Sequence, residues 1–141
     1  DDAGALRVIA GEHAAARGPA RSFTAMNVWD VRLRAGKSAT LQVPEGHNAL
    51  VIALTGRVQV GDDGRSVRPD EVAVLERTGA RVRLASDTDT MVLVLTGEPI
   101  AEPIVGYGPF VMNTREEILR AFDDFNGGRF GELVAEERRP A

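Results

Sequence analysis

Short strands separated by turn residues are the feature of this sequence that most constrains its fold. Apolar or alternating runs recur along residues 6–96, and glycine, proline and aspartate interrupt them at short intervals. These residues favour tight turns and end regular structure. The predicted strands cover residues 6–10, 27–33, 38–43, 49–55, 57–60, 65–67, 72–75, 81–85 and 90–96. About nine short strands at this spacing predict an antiparallel sandwich or barrel.

Residues 43–61 form the stretch around which these strands are organised. They predict two short buried strands that meet at Gly56, with a turn at Gly46 leading in. The run 49–55 is apolar throughout, so we expect it to be almost fully buried. His47 is the one histidine of the stretch and a weak candidate metal ligand. A lone histidine beside a glycine turn more often bonds the backbone than a metal.

Composition excludes several classes of function. The 141 residues include no cysteine, so disulfides, thiolate zinc sites and cysteine nucleophiles are excluded. A net charge of −4 argues against a surface for nucleic acid. The sequence has no apolar run of the roughly 20 residues that a membrane helix needs. These features predict a cytoplasmic protein without direct contacts to nucleic acid or membrane.

The pattern changes after Thr96. Residues 97–109 contain three prolines and three glycines, which predict an ordered loop and not a strand pair. The last of these prolines is Pro109.

A single helix is predicted beyond this loop. Asn113 or Thr114 caps it, because Glu116 and Glu117 stand three residues after the two candidates in a capping-box pattern. Its apolar residues fall on one face, and the glycines at 127 and 128 end it. We expect this face to dock on the barrel; the alternative is a free helix that binds a partner.

Three segments carry a resemblance to a known family. Residues 102–131 read EPIVGYGPFVMNTREEILRAFDDFNGGRFG, residues 8–12 read VIAGE, and residues 44–49 read PEGHNA with Gly56 behind them. Together they resemble the C-terminal end of pirin-family proteins. The first segment is the most specific, because a GPFVMNT run that opens a helix is not a general feature of β-barrels.

The resemblance implies both fold and organisation. Pirin-like proteins are bicupins, with two β-barrels in tandem, and this chain corresponds to the second. The expected fold is therefore an all-β, cupin-type double-stranded β-barrel (jelly roll) with one C-terminal α-helix. The barrel would cover residues 5–112, a helix and Gly-rich end packed on it residues 113–131, and a flexible tail residues 132–141.

The resemblance also implies where the chemistry lies. In the family, three histidines and a glutamate hold iron in the first barrel, and quercetin 2,3-dioxygenase activity is ascribed to some members. The second barrel generally lacks metal. We therefore expect no catalytic, cofactor-binding or metal-ligating residue in this chain. Structural roles are expected for six residues: Gly46, Gly56, Pro109, Asn113, Thr114 and Glu117.

The residues support this expectation independently. A cupin iron site needs two or three imidazoles and a carboxylate that converge inside the barrel. Counted from Gly56, these positions fall near Ala49, at 42–44 and at 81–83, and none is a histidine. The sequence has two histidines, His13 and His47, which lie in different loops. An exposed sheet face explains the alternating arginines at 81 and 83 better than an anion site does.

Several functions remain open at this stage. The first is a metal-free structural and regulatory half of a pirin-like protein, whose partner is the N-terminal cupin domain of the same parent or a second copy in its place. The chain starts without methionine, which is the arrangement expected if the catalytic half precedes it. The alternatives are a stand-alone barrel that binds a small molecule without metal, and a protein-interaction module of the transcription-cofactor type. We favour the first, because Val51, Ala53 and Leu93 are expected to close the interior without a pocket.

Overall fold

The computed structural model describes residues 2–132, which divide after Pro99 into two compact units. The described part of the first unit contains eleven strands. They are β1 (Gly4–Ala10), β2 (Glu12–His13), β3 (Ala16–Arg17), β4 (Met26–Leu33), β5 (Lys37–Gln42), β6 (Asn48–Thr55), β7 (Val58–Val60), β8 (Arg65–Val67), β9 (Val72–Leu75), β10 (Arg81–Ser86) and β11 (Thr90–Gly97). The second unit contains β12 (Val105–Tyr107), β13 (Phe110–Met112) and the helix α1 (Arg115–Asn126).

Two antiparallel sheets build the first unit. One has the order β1-β4-β11-β6-β9 and the other the order β5-β10-β7-β8. The apolar side chains of both sheets form a single core, in which six residues are less than 2% exposed. These are Trp29, Val51, Val58, Leu84, Val92 and Val94. The predicted all-β jelly roll with one helix is confirmed.

The central strands alternate between core and surface. In β6, Val51 and Ala53 are buried, whereas Leu54 is 42% exposed, so the expectation of an almost fully buried strand was wrong. Leu93 is likewise only half-buried, because Val92 and Val94 of β11 are the residues that face the core. An antiparallel sheet packs one face on the core and leaves the other outward, even where both faces are apolar.

Two hairpins lie where the sequence predicted loops. β2 pairs with β3 in the loop between the predicted strands 6–10 and 27–33, where the sequence placed His13. β12 pairs with β13, so the prediction that residues 97–109 hold no strand pair was wrong. Pro109 lies in the turn between those strands, where the ladder needs no hydrogen bond from it. The prolines therefore flank the pairing and do not interrupt it.

Thr114 is the N-cap of α1. Its Oγ1 accepts a hydrogen bond from the Glu117 N–H at 3.2 Å, and the Glu117 carboxylate accepts from the Thr114 N–H at 2.9 Å. This reciprocal pair is the predicted capping box. Asn113, the other candidate, donates its backbone N–H to Glu117 and its side-chain amide to Glu102. Gly127 follows the helix and donates its N–H to the Asp123 carbonyl at 2.9 Å.

An aromatic cluster joins α1 to the β12–β13 hairpin. Phe110 lies at its centre, with ring centroids 4.9 Å from Phe122 and 5.7 Å from Phe130. Tyr107 and Phe125 complete the cluster through edge-on contacts. The apolar face of the helix thus has a partner within its own unit. Packing of residues 113–131 on the barrel stays a prediction, and residues 133–141 of the expected tail lie outside the described residues.

Removing the cap is expected to weaken the helix. Thr114→Ala should cost about 1 kcal/mol, and Thr114→Ser, which keeps the hydroxyl acceptor, much less. Far-UV circular dichroism during urea unfolding measures the difference. Equal losses of stability in Thr114→Ala and Thr114→Ser would show that the hydrogen bond to the Thr114 hydroxyl does not stabilise the helix.

The cap should also depend on pH. Hydrogen bonds from the Thr114 side chain and backbone hold the pKa of the Glu117 carboxyl below its ordinary value of 4.5. The stabilisation that this carboxylate gives to the folded state is therefore complete at pH values above its ordinary pKa of 4.5. It is lost as the pH falls through the lowered pKa of the folded state. Glu117→Gln keeps a side chain that can cap but cannot titrate. Acid unfolding of α1 should be less steep in this variant than in Glu116→Gln.

Candidate functional site

A cavity of about 820 Å³ opens at one end of the jelly roll in the first unit. Three parts of the chain line it: the β2–β3 hairpin, the start of β4, and the segment between β5 and β6. Its walls include Glu12, His13, Arg17, Met26, Asn27, Trp29, Gln42, Val43, Pro44 and His47. The expectation that the interior closes without a pocket holds only for the core around Val51 and Ala53, which are 0% and 2% exposed.

Both histidines line this cavity, although they belong to different parts of the chain. The ring of His13 lies edge-on to Trp29, with the centroids 4.9 Å apart. The backbone N–H of His47 donates to the Pro44 carbonyl at 3.4 Å. The side-chain Nδ1 of His47 is buried and has no hydrogen-bond partner among residues 2–132. No spacing pattern in the sequence indicates that both residues line one cavity.

Trp29 and Asn27 form the inner wall from strand β4. Trp29 is 1% exposed, and its indole Nε1 has no hydrogen-bond partner in the described part of the chain. Asn27 accepts from the Glu12 N–H and donates to the Thr96 hydroxyl, both at 2.9 Å. These two bonds tie the β2–β3 hairpin to the five-stranded sheet and fix the shape of the cavity.

The positions inferred for cupin ligands line two cavities that have residues in common. Residues 42–44 line the large cavity, while Ala49 and Arg81 line a second cavity of about 150 Å³ that shares His47 with the first. Their side chains supply no imidazole or carboxylate. Within residues 2–132, no group of three or more His, Cys, Asp or Glu side chains is placed to hold a metal. The donor set therefore does not fit the mixed nitrogen and oxygen ligands that iron(II) prefers.

The charged residues at the mouth of the cavity and along β10 lie at the surface. Glu12 and Arg17 form an ion pair of 3.6 Å at the cavity, with side chains 67% and 81% exposed. Arg81 and Arg83 alternate with buried residues along β10 and are exposed, as the sequence predicted.

Gly46 and Gly56 lie in the two turns that flank β6. Their φ angles are +82° and +71°, in the left-handed region that glycine adopts without strain. Gly46 has open space around it, whereas a Cβ at Gly56 would collide with residues 89 and 90.

Comparison with known proteins places this chain in a family. The family model for the pirin C-terminal cupin domain matches residues 28–131. The chain belongs to the pirin family. A Pseudomonas aeruginosa protein with the provisional name quercetin 2,3-dioxygenase is 50% identical over 92% of this chain and 45% of its own length. Human pirin is 30% identical over 89% of this chain and 44% of its own.

A solved structure supports the same membership. The crystal structure of an Acinetobacter baumannii protein described as quercetin 2,3-dioxygenase superposes with a TM-score of 0.84 at 52% identity. The superposition covers 92% of this chain and 44% of the A. baumannii protein. The resemblance to pirins and the cupin fold are thus confirmed, and the chain spans less than half the length of these relatives. None of the helices within residues 2–132 is long and apolar enough to cross a membrane.

Proposed function

We propose that this chain is a metal-free C-terminal cupin domain with a structural and regulatory role in a pirin-like protein. The proposal rests on the residues that line the two cavities around His47. Where an iron cupin would place imidazoles and a carboxylate, this domain has Gln42, Pro44, Ala49 and Arg81 around the two cavities. The scaffold of a cupin site is retained here with side chains that do not suit iron.

The chemistry of the parent protein is then assigned to an N-terminal cupin domain. Two relatives carry names of quercetin 2,3-dioxygenases, and this chain matches 44% to 45% of their lengths. Iron and any dioxygenase activity would belong to the remaining part, and this domain would need no cofactor of its own. Its role would be to complete the fold and to cover the first barrel.

An apolar strip on the five-stranded sheet supports a docking role. Val72 and Val74 of the edge strand β9 are 52% and 77% exposed. They pair with Ile52 and Leu50 of β6, so the four side chains share one face. Exposed apolar patches of this kind mark contacts with other proteins or domains. The occupant we propose is the N-terminal cupin domain or, in its absence, a second copy of this chain.

A chimera tests this role. In the full-length P. aeruginosa relative, this chain would replace the matching region. We expect a folded protein with one iron per chain and flavonol-dependent oxygen consumption. Val72→Asp with Val74→Asp should lower its thermal stability and iron retention, because the strip would lose its apolar contact. Ser66→Asp, an exposed change on β8, is the control. A double variant with unchanged thermal stability and iron retention would contradict docking through this strip.

The metal-free state has its own test. After loading with iron(II) or zinc and desalting, the isolated chain should retain well below one metal per molecule. His47→Ala and His13→Ala should leave that residual unchanged, because each histidine lacks the further ligands that a site needs. Elemental analysis measures the content. One equivalent of metal that disappears with His47→Ala would overturn the proposal.

A further inference from the structure

We propose that the edge strand β9 is a site of strand addition, at which an edge strand of the N-terminal cupin domain continues the five-stranded sheet. This inference rests on the proposed function, which makes that domain the occupant of the apolar strip. It adds how the domain binds: through main-chain hydrogen bonds along β9, in addition to side chains on the face of the sheet. The outer side of an edge strand carries N–H and C=O groups that pair readily with another strand.

β9 is the edge strand with the least protection against such pairing. Among the described residues, the two main sheets end in four edge strands, β1, β5, β8 and β9. The first three contain Arg7, Lys37 and Arg65, and charged residues on an edge oppose pairing with another chain. β9 reads VAVL, with no charge, no proline and no bulge in its register with β6. Its outer edge is therefore the one that best accepts an added strand.

Val72 and Val74 show what an added strand would bury. Val74 is 77% exposed, although branched side chains favour strands in which neighbours pack against them. Both valines share the outward face with Ile52 and Leu50, which are half-buried. A strand beside β9 would bring its side chains to about 4.5–5.5 Å from the two valines, measured between Cβ atoms. The site therefore selects a strand with apolar side chains at alternate positions.

Hydrogen bonds hold β9 in place at both ends. Before the strand, the Glu71 N–H donates to the Arg68 carbonyl at 3.0 Å, and the Arg68 N–H donates to the Glu71 carboxylate at 2.9 Å. After it, the Arg77 carbonyl accepts from the Gly46 N–H at 2.9 Å, and Arg77 Nε donates to Asn48 at 2.8 Å. A segment that is already ordered loses little conformational entropy when a partner binds. β9 is thus prepared for pairing before the partner arrives.

The surroundings of β9 favour the N-terminal cupin domain as the occupant. The chain matches only 44% to 45% of the length of two of its relatives, so the larger part of each lies outside the match. β9 borders the apolar strip, so a domain that covers the strip also reaches this edge. Pirin-like proteins have two β-barrels in tandem, and the first barrel would supply the added strand. A sheet that continues from one domain into the other would fix their relative orientation.

Hydrogen exchange measures the added pairing directly. In an antiparallel ladder, alternate N–H groups of β9 bond to β6 and the others point away from it. In the isolated chain, the N–H groups that point away should exchange quickly. In the chimera with the P. aeruginosa relative, a peptide that covers residues 71–76 should take up about two fewer deuterons at early times. A peptide that covers β8, another edge strand, should exchange equally in both proteins.

Two variants of Val74 test the role of the edge. Val74→Lys places a charge on β9 and should restore fast exchange of this strand in the chimera. Val74→Thr keeps the branched shape and the strand preference without a charge, so the protection should remain. Persistent protection in Val74→Lys would overturn strand addition.

The exchange data also separate this inference from the proposed function. β9 could exchange equally in the isolated chain and the chimera, while Val72→Asp with Val74→Asp still destabilises the chimera. That result would overturn strand addition and leave docking through the apolar strip intact. Protection in the isolated chain that grows with protein concentration would also overturn it, because a second copy would then occupy the edge. Loss of both effects would overturn strand addition and docking together.

Discussion

Gly56→Ala is expected to destabilise the first unit by about 2–5 kcal/mol, the sum of a left-handed backbone penalty and overpacking. Gly56 has a φ of +71°, and a Cβ there would lie 2.4 Å from Thr90 Oγ1 and 2.7 Å from the Asp89 carbonyl oxygen. The Thr90 hydroxyl is held by Ser86 at 2.7 Å, and the carbonyl belongs to the backbone. Neither atom can move aside without disturbing the turn between β10 and β11, in which Asp89 lies and after which Thr90 begins β11.

Gly46→Ala is the matched control for this prediction. Gly46 has a similar φ of +82°, but a Cβ would meet nothing within 4 Å. Gly46→Ala should therefore lower the free energy of unfolding only by the left-handed backbone penalty, about 1–2 kcal/mol. Urea unfolding of both variants measures the free energy of unfolding directly. If Gly46→Ala proves as damaging as Gly56→Ala, steric crowding at Gly56 is not what requires glycine there.

Trp29→Ala is the second change with a large expected effect, about 3–5 kcal/mol. Trp29 is 1% exposed and packs in the core between the two sheets. Its loss would join a new void to the end cavity and remove the ring contact with His13. Because the chain has no other tryptophan, unfolding of this variant must be followed by circular dichroism and not by fluorescence.

Phe23→Ala provides the comparison for Trp29. Phe23 is fully exposed, so its truncation should change the free energy of unfolding by less than about 0.5 kcal/mol. A Trp29→Ala variant as stable as Phe23→Ala would show that the cavity wall contributes no packing energy.

Local chemistry made much of the fold predictable. Strands at residues 65–67 and 72–75 were predicted with the bounds that β8 and β9 have, because glycine and proline turns delimit them. The capping box at Thr114 and Glu117 was predictable for the same reason, since all of its bonds join residues within three positions. The β12–β13 hairpin was not predicted, because three prolines within residues 97–109 favour a loop. Pro109 lies in the turn, however, where it does not interrupt the pairing of the two strands.

The sequence alone therefore determined nine of the eleven strands of the first unit, the helix cap, the family, and the absence of histidine from positions 42–44, 49 and 81. Only the tertiary structure decided which side chains share a wall. Cross-strand register sets whether Val92 or Leu93 faces the core, and it depends on partners distant in the sequence. Folding of the β2–β3 hairpin against β4 brings His13 to the cavity that His47 also lines. These are long-range contacts, which no local pattern encodes.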